Sequence, residues 1–467
     1  MRFIKKLMTC EGMVDPNRRF GPIPTTREGY AVSLRIAWPS MLESMLVAMV
    51  NLVGTVMVGG LGDYAITAVG LTTQPQFVLI AVIISLNVGV TAVIARRKGA
   101  QDREGANSCL KQAALLSLLL SVVLTITGLL AARPLMQLAG AQADTIDYAV
   151  MYFRIICTGM VFRGLSLTLN AAQRGVGNTR IALTSNLTAN VVNLVFNYLL
   201  INGIGMFPRM EIAGSAVAAV LGNAAAFFMA LLSLFRKDAF LTLRHRAKWK
   251  LEAATMASVG KVAASAAVEQ VCMRIGFFAY AIMIAALGTE NFAVHQICMS
   301  ILNISFSIGD GLSVAAAALV GQSLGAKRPD LGKLYGSVAQ RISWFFSTIL
   351  FFIFLLGRFR LVGLFNSDPY IVSLGGSVMV ILAFTTHIQT SQVIMAGCLR
   401  GAGDTKFTAV VAMVSIMIVR PTLGWLLCFP AGLGLRGAWM ALFIDQALRL
   451  ILNILRFRSG KWALHTI

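Results

Sequence analysis

Four carboxylates lie within long apolar stretches of the 467-residue sequence, where charged side chains are unexpected. Glu43, Glu269, Asp310 and Asp445 are each flanked by runs of aliphatic residues. Burial in apolar surroundings favours the neutral form of a carboxylate, so such a group can take up a proton near neutral pH. Its oxygens can alternatively bind a hard cation such as Na⁺. These residues are therefore candidates for binding and releasing a small cation.

A row of amides follows on one predicted helix, at Asn186, Asn190, Asn193 and Asn197. Steps of four, three and four residues place their side chains on one helix face. Amides exposed to hydrocarbon are unfavourable, so this face is expected to line a cavity and bind a cation or substrate. Asparagines also join membrane helices at modest energy, and both interpretations stay open.

Histidine and glutamine supply a third group of candidates, in the second half of the chain. His295 lies in one predicted helix, and His387, Gln389 and Gln392 lie in another. We expect these side chains to line the substrate cavity, although a lone histidine in an apolar segment is more often a packing residue.

The composition identifies the kind of protein that must hold these groups. Apolar residues make up 57% of the chain and charged residues only 13%. A soluble domain needs about 25% charged residues to cover its core. The chain is therefore predicted to be an all-α integral membrane protein, and soluble, disordered and fibrous classes are excluded.

Hydropathy divides the sequence into twelve segments, since a helix needs about 20 apolar residues to cross a bilayer. The predicted spans cover residues 31–60, 64–95, 110–132, 146–172, 181–204, 212–235, 257–287, 291–320, 334–357, 369–399, 407–428 and 436–456.

Basic residues fix the expected orientation. With the amino terminus inside, the cytoplasmic loops and tails hold 27 Lys and Arg, whereas the outer loops hold five. The positive-inside rule then places both termini in the cytoplasm of a multi-pass protein of the inner membrane. The net charge of +21 is thus explained by topology and by contact with anionic lipid, and nucleic acid is not an expected partner.

The chain repeats itself at a constant offset. Glu43 returns as Glu269, Leu61-Gly62 as Leu287-Gly288, and the loop that begins at Arg174-Gly175 as that at Arg400-Gly401. Six spans per copy make a parallel repeat, which predicts two lobes around a central cleft. The predicted organisation is a cytoplasmic tail (1–30), an N-lobe (31–235), a linker (236–256), a C-lobe (257–456) and a second tail (457–467).

Four motifs, taken in their order along the chain, resemble those of the multidrug and toxic compound extrusion (MATE) family, most closely its bacterial branch. They are Val53–Gly62, Ala293–Gln296, Leu319–Ala326 and Leu399–Thr405. The resemblance implies a secondary antiporter, coupled to H⁺ or Na⁺, that exports organic and often cationic drugs by alternating access. It implies a monomer in membrane lipid, with small-molecule substrates and no bound cofactor.

Glu269 matches the acidic residue of helix 7 that the family implicates in cation coupling, so the resemblance makes it the site for H⁺ or Na⁺. The alternative is a structural ion pair, for which Arg274 is poorly placed on the same helix. Gly54 stands where family members usually carry Asp. Either Glu43 replaces that N-lobe site about 16 Å along the same helix face, or the N-lobe lacks a cation site.

The remaining acids are interpreted separately. Asp310 lies between Gly309 and Gly311, where we expect a locally loosened helix that could form an ion site. The alternative is a polar residue that faces the cavity without binding an ion. Asp445 precedes Arg449 by four residues, so a self-neutralising structural pair is predicted.

Motifs for other kinds of activity are missing from the sequence. It has no Walker A motif, no His-Glu-x-x-His and no Gly-x-Ser-x-Gly, so an ATPase, metalloprotease or lipase is not predicted. The closest alternative is a flippase for lipid-linked or polysaccharide intermediates from the same superfamily.

Overall fold

We analysed a computed structural model, which describes residues 9–59, 61, 63–142, 145–205, 207–236, 239–243 and 252–464. Regular structure in these ranges is helical. Gly62 of the repeated motif lies outside the described residues, as do 244–251 of the predicted linker and the extreme ends of both predicted tails.

Sixteen α-helices occur in the described part of the chain. They are α1 (Thr26–Gly59), α2 (Asp63–Gly99), α3 (Arg103–Leu130), α4 (Ala132–Leu138), α5 (Ile146–Thr158), α6 (Met160–Gly175), α7 (Thr179–Asn202), α8 (Glu211–Ser233), α9 (Ala253–Ala285), α10 (Thr289–Gly325), α11 (Pro329–Leu356), α12 (Arg358–Gly363), α13 (Pro369–Gly401), α14 (Thr405–Ala412), α15 (Arg420–Cys428) and α16 (Gly434–Ser459).

A helix or pair of helices lies at each of the twelve predicted positions. Within the described ranges, nine helical segments are long and apolar enough to cross a membrane, or ten if the bent pair α5–α6 counts as one span. The helices α1 and α7 are not among them, and in α7 the asparagines lower the hydropathy. The all-α membrane fold is confirmed.

Several helices extend beyond the predicted apolar segments. The largest difference is at α3, which begins at Arg103, whereas hydropathy placed its start at residue 110. The Asp102 carboxylate accepts a hydrogen bond from the Gly105 amide at 2.8 Å and caps this helix. Capping and helix propensity act outside the bilayer as well, so hydropathy alone underestimates helix length.

Two predicted spans are interrupted. The fourth bends by 48° between α5 and α6, at Gly159. A Cβ atom on Gly159 would lie only 2.7 Å from Val220 Cγ2, so glycine permits close packing at the bend. The eleventh contains a π-helical segment, Met413–Val419, between α14 and α15. Such π-helical turns often occur at functional sites.

The chain separates into two compact units. The N-terminal unit comprises Leu42–Ala263, and the C-terminal unit comprises Ala264–Ile467 together with the chain up to Met41. Both boundaries fall inside a helix, in α1 and in α9. The first helix of each repeat therefore contributes residues to both units.

The two ends of the predicted linker are fixed to the N-terminal unit. Asn107 is fully buried, and its Nδ2 donates to the carbonyl of Phe240 at 3.0 Å, while its Oδ1 accepts from the amide of Thr242 at 2.6 Å. The amide of Glu252 donates to Gln112 Oε1 at 2.9 Å. The first turns of α3 thus anchor both ends of this segment.

The segment that precedes α1 packs onto the C-terminal unit. The amide of Phe20 donates to Asp330 Oδ2 at 3.2 Å, and Arg328 donates to the carbonyl of Pro22 at 3.0 Å. Cys10 is fully buried in the same hydrophobic cluster as Trp462, near the other end of the chain. Both described tails are therefore part of the folded C-terminal unit.

Candidate functional site

Glu43 lies on α1 and is buried within the N-terminal unit, with only 8% of its side chain exposed. Its Oε1 accepts from the Arg174 guanidinium, at the end of α6, and from Asn186 Nδ2, on α7, at 2.5 Å. Its Oε2 is buried and has no hydrogen-bond partner among the described residues. One oxygen of this carboxylate is therefore available to a proton or a cation.

Glu269 has a matching environment in the C-terminal unit. It lies on α9, and 8% of its side chain is exposed. Its Oε1 lies 3.3 Å from Arg400 Nη1, at the end of α13, and its Oε2 accepts from Thr408 Oγ1, on α14, at 3.2 Å. Arg400, and not Arg274, is therefore the arginine that pairs with this carboxylate.

The two ion pairs are copies of one another. Arg174 and Arg400 are separated along the chain by the same offset as Glu43 and Glu269. In each unit the pair joins the first helix of the repeat to the loop that follows its fourth predicted span. The third partner differs, because Asn186 and Thr408 do not occupy equivalent positions.

Buried ion pairs of this kind respond strongly to the charge of either partner. Removing one partner of a fully buried pair typically costs about 3–5 kcal/mol, because the other charge is left uncompensated. About a quarter of each arginine side chain is exposed here, so solvent reduces this value. A proton or cation on the carboxylate would weaken its hold on the arginine.

The asparagine face of α7 is partly engaged. Asn186 reaches Glu43, and Asn197 Nδ2 donates to Asn193 Oδ1 at 3.0 Å. Asn190 Nδ2 and Asn197 Oδ1 are buried without a hydrogen-bond partner among the described residues. This face of α7 thus contacts the Glu43 carboxylate and carries amide atoms without a hydrogen-bond partner among the described residues.

Asp310 does not lie in a loosened helix, as the glycines on either side suggested. The helix α10 is continuous from Thr289 to Gly325. A Cβ atom on Gly311 would overlap the backbone of Met41, and one on Gly309 would lie 3.3 Å from Thr390 Cα. These glycines therefore allow α1 and α13 to pack closely against α10.

Asp445 forms a buried structural network within the C-terminal unit. The predicted contact with Arg449 is present at 3.0 Å. Arg420 Nε also donates to this carboxylate at 3.0 Å, and Ser415 Oγ donates at 2.5 Å. The carboxylate thus joins α16 to the π-helical segment and to the start of α15, partners that the sequence did not indicate.

His295 is packed in the core. It is 6% exposed, and its ring centroid lies 5.6 Å from that of Trp439 and 5.8 Å from that of Tyr280. His295 Nδ1 has no hydrogen-bond partner among the described residues. These contacts agree with the packing interpretation of this histidine.

The three polar candidates on α13 point in different directions. His387 borders a groove of about 340 Å³ in the C-terminal unit, together with Trp344 and Phe351. Gln389 and Gln392 are buried and do not border this groove. A helix turns by about 100° per residue, which separates the glutamines from His387.

No group of three or more His, Cys, Asp or Glu side chains in the described ranges could hold a metal ion. For Na⁺ at Glu269, the difficulty is that both carboxylate oxygens already accept hydrogen bonds. Glu43 fits a cation better because of its unpartnered oxygen.

Comparison with known proteins places the whole chain in one family. The MatE family profile matches residues 39–199 and 265–426, and the starts of these segments have the same offset as Glu43 and Glu269. The probable multidrug resistance protein NorM of Thermotoga maritima is 27% identical over 438 residues, which cover 92% of each chain. The multidrug resistance protein PmpM of Pseudomonas aeruginosa is 24% identical over 92% of this chain and 91% of PmpM.

Solved structures show the same fold. A crystal structure of MATE in the bent conformation superposes with a TM-score of 0.85 at 22% identity, covering 92% of this chain and 96% of that one. An outward-facing multidrug resistance MATE family transporter superposes with a TM-score of 0.86, covering 93% and 97%. Because the family profile covers both repeats, this chain belongs to the MATE family of membrane transporters and is not an enzyme.

Proposed function

We propose that this transporter is a cation-coupled antiporter, driven by H⁺ or Na⁺, that exports organic cations from the cytoplasm by alternating access. The two predicted lobes are its moving parts. The observation that carries this proposal is the repeated Glu–Arg pair, which places one ionisable carboxylate and one arginine in each unit.

The proposed coupling is a competition for the carboxylate. In its charged form, Glu269 binds Arg400 and thereby joins α9 to the end of α13. A proton or cation on the carboxylate removes the charge that attracts the guanidinium, so a conformation in which the two separate becomes accessible. Conversely, the conformation in which the pair is closed releases the ion. An ion gradient can thus drive the change of state.

Glu43 is proposed as the coupling carboxylate of the N-terminal unit. Gly54 provides no side-chain oxygen, whereas Glu43 has a buried oxygen without a partner and an adjacent amide from Asn186. A hard cation binds readily to carboxylate oxygens, whereas the Asn186 amide presents its N–H, and not its oxygen, to Glu43. These features support the hypothesis that the site has moved along α1.

The orientation follows from the charge distribution of the loops. The predicted cytoplasmic loops and tails hold 27 Lys and Arg, and the outer loops hold five. This difference supports cytoplasmic termini in the inner membrane. Bacterial relatives that are named as multidrug resistance proteins support drug-like substrates.

Efflux from proteoliposomes tests this function. The protein is reconstituted, and the movement of ethidium is followed by fluorescence under an imposed proton gradient and then under a sodium gradient. We expect flux with at least one gradient, and loss of that coupled flux in Glu269→Gln and Glu43→Gln. Glu290→Gln changes an exposed carboxylate at the start of α10 and should behave like the native protein.

Flux that neither gradient drives would reject cation-coupled export. Translocation of a fluorescent phospholipid in the same vesicles would then favour the flippase alternative. Coupled flux that survives both glutamine substitutions would reject the carboxylates while leaving the antiporter proposal in place.

A further inference from the structure

A groove of about 340 Å³ lies between three helices of the C-terminal unit, α11, α13 and α16. Its volume is within the range of small-molecule sites, which measure about 300–1,000 Å³. Trp344 and Phe351 form one wall, Phe384 and His387 a second, and Phe443 a third. Aromatic rings thus dominate a site with room for one small ligand.

The position of the groove indicates how a ligand would reach it. Trp344 and Phe384 at its border are 56% and 53% exposed, and the neighbouring Phe345 and Phe352 are 64% and 53% exposed. Trp344 lies close to the middle of α11, which is itself a predicted span. The groove is therefore open at the surface of the C-terminal unit, in the middle of a predicted span.

Hydrogen bonds around His387 define which of its nitrogens can bind a ligand. Thr348 Oγ1 donates its single proton to the Trp344 carbonyl at 2.7 Å. His387 Nε2 lies 3.1 Å from the same hydroxyl oxygen and donates to it in the tautomer that keeps the bond from Thr348 to Trp344. In the neutral ring this tautomer leaves Nδ1 as a hydrogen-bond acceptor.

Ser391 supplies a second polar group, one turn further along α13. Its side chain borders the groove, and the residue is 1% exposed. Ser391 Oγ has no hydrogen-bond partner among the described residues. Buried hydroxyl groups normally have such a partner. This oxygen has almost no accessible surface, so it can bond to a molecule in the groove once its side chain rotates toward it.

We infer that this groove binds a neutral, planar aromatic molecule that carries one hydroxyl or amine donor and enters from the bilayer. The ring packs between Trp344, Phe351 and Phe384. Its O–H or N–H donates to His387 Nδ1, and the same ligand atom accepts from Ser391 Oγ. The lining contains no carboxylate that would balance a permanent charge in hydrocarbon. That such a molecule is also a transport substrate rests on the proposed export function.

A pair of related probes tests the polar contacts. 1-Naphthol has the aromatic ring and a hydroxyl donor, whereas 1-methoxynaphthalene has the ring without the donor. Equilibrium dialysis of radiolabelled probe against the full chain in nanodiscs measures binding, and empty nanodiscs correct for partitioning into lipid. We expect saturable binding of 1-naphthol, about five-fold tighter than that of 1-methoxynaphthalene, since one hydrogen bond contributes about 1 kcal/mol.

Substitutions in the chain complete the test. His387→Phe should weaken 1-naphthol binding about five-fold and leave binding of 1-methoxynaphthalene unchanged, because only the naphthol has a proton to donate. Ser391→Ala should weaken binding of both probes about five-fold, because both oxygens can accept from the serine hydroxyl. Ser343→Ala is the matched control, because Ser343 is also a buried serine with an unpartnered hydroxyl among the described residues but does not border the groove. It should bind 1-naphthol like the native protein.

Two results would overturn the inference. One is the absence of saturable 1-naphthol binding, as expected if lipid acyl chains fill the groove. The other is binding that Ser391→Ala and His387→Phe leave unchanged. The dialysis uses no ion gradient, so either result stands apart from a failure of ethidium export in proteoliposomes.

Discussion

The ion pair between Glu269 and Arg400 has a strength that a double-mutant cycle can measure. Glu269→Gln, Arg400→Gln and the double variant remove the charges separately and together. The two charged atoms are 3.3 Å apart, which corresponds to about 5 kcal/mol at an effective dielectric constant of about 20. Because 25% of the arginine side chain is exposed, solvent screening and the loss of hydration reduce this value to an expected coupling energy of about 2 kcal/mol.

The assay is the free energy of unfolding, measured by titrating SDS into mixed micelles of each variant. Glu290→Gln combined with Arg400→Gln provides the control cycle, since Glu290 is exposed and forms no ion pair with Arg400. That cycle should give no coupling beyond about 0.3–0.5 kcal/mol, the usual deviation for independent sites.

A coupling energy below about 0.5 kcal/mol between Glu269 and Arg400 would refute the reasoning, since it would mean that water, and not the carboxylate, stabilises the guanidinium. A proton on Glu269 would then not weaken the contact between α9 and the end of α13, where Arg400 lies. The proposed competition between ion and arginine would have no energetic basis in this unit.

Three further measurements examine other parts of the structure. Asp445→Asn should lower the free energy of unfolding, measured by the same SDS titration, by about 3 kcal/mol or more, because two buried arginines lose their counterion. Asp147→Asn removes a charge from an exposed ion pair and should change this free energy by less than about 0.5 kcal/mol. Gly311→Ala should destabilise the protein because its Cβ meets a neighbouring backbone, whereas Gly260→Ala has open space and should stabilise its helix by about 0.5–1 kcal/mol. Burial shields the Cys10 thiol and raises its pKa, so maleimide labelling followed by mass spectrometry should be slow at pH 8 and accelerate as the pH rises. Rapid labelling at pH 8 would show that the segment before α1 is not docked.

Hydropathy and internal repetition were sufficient to predict the helices of this fold. Uninterrupted apolar runs leave no alternative to membrane helices, and a helix or pair of helices occupies each predicted span. The structure also shows irregular helix geometry, which window-averaged hydropathy does not predict. The bend at Gly159 and the π-helical segment Met413–Val419 depend on the packing of neighbouring helices, which a sequence window does not contain.

The carboxylates could be predicted, but their partners could not be read from spacing along one helix. Arg174 and Arg400 lie 131 residues from the glutamates that they bind. One signal was available, because the repeated loops begin at these arginines with the same offset as the glutamates. A charge that recurs at the offset of another, opposite charge is a candidate for pairing.

Asp310 and Asp445 show why local patterns succeed or fail. The Asp445–Arg449 contact follows from helix geometry alone, so it could be predicted. The effect of glycine on either side of Asp310 depends on what lies next to the helix. Here the missing side chains admit neighbouring helices, so the same glycines permit close packing and the helix remains continuous.

The two copies of the Glu–Arg pair have diverged at their third partner, and this difference bears on their roles. The second oxygen of Glu269 lies 3.2 Å from Thr408 Oγ1, whose single proton is shared with the Thr405 carbonyl at 3.0 Å. Asn186 shares the first oxygen of Glu43 and leaves the second without a partner among the described residues. A buried carboxylate oxygen without a hydrogen bond is unfavourable, and a proton or cation placed on it relieves that penalty. Ion binding should therefore be more favourable at Glu43 than at Glu269, although the helix that carries Glu43 has glycine, at Gly54, in place of the family's usual acidic residue. If both carboxylates couple transport, loss of Glu43 should then impair ion affinity more strongly than loss of its copy.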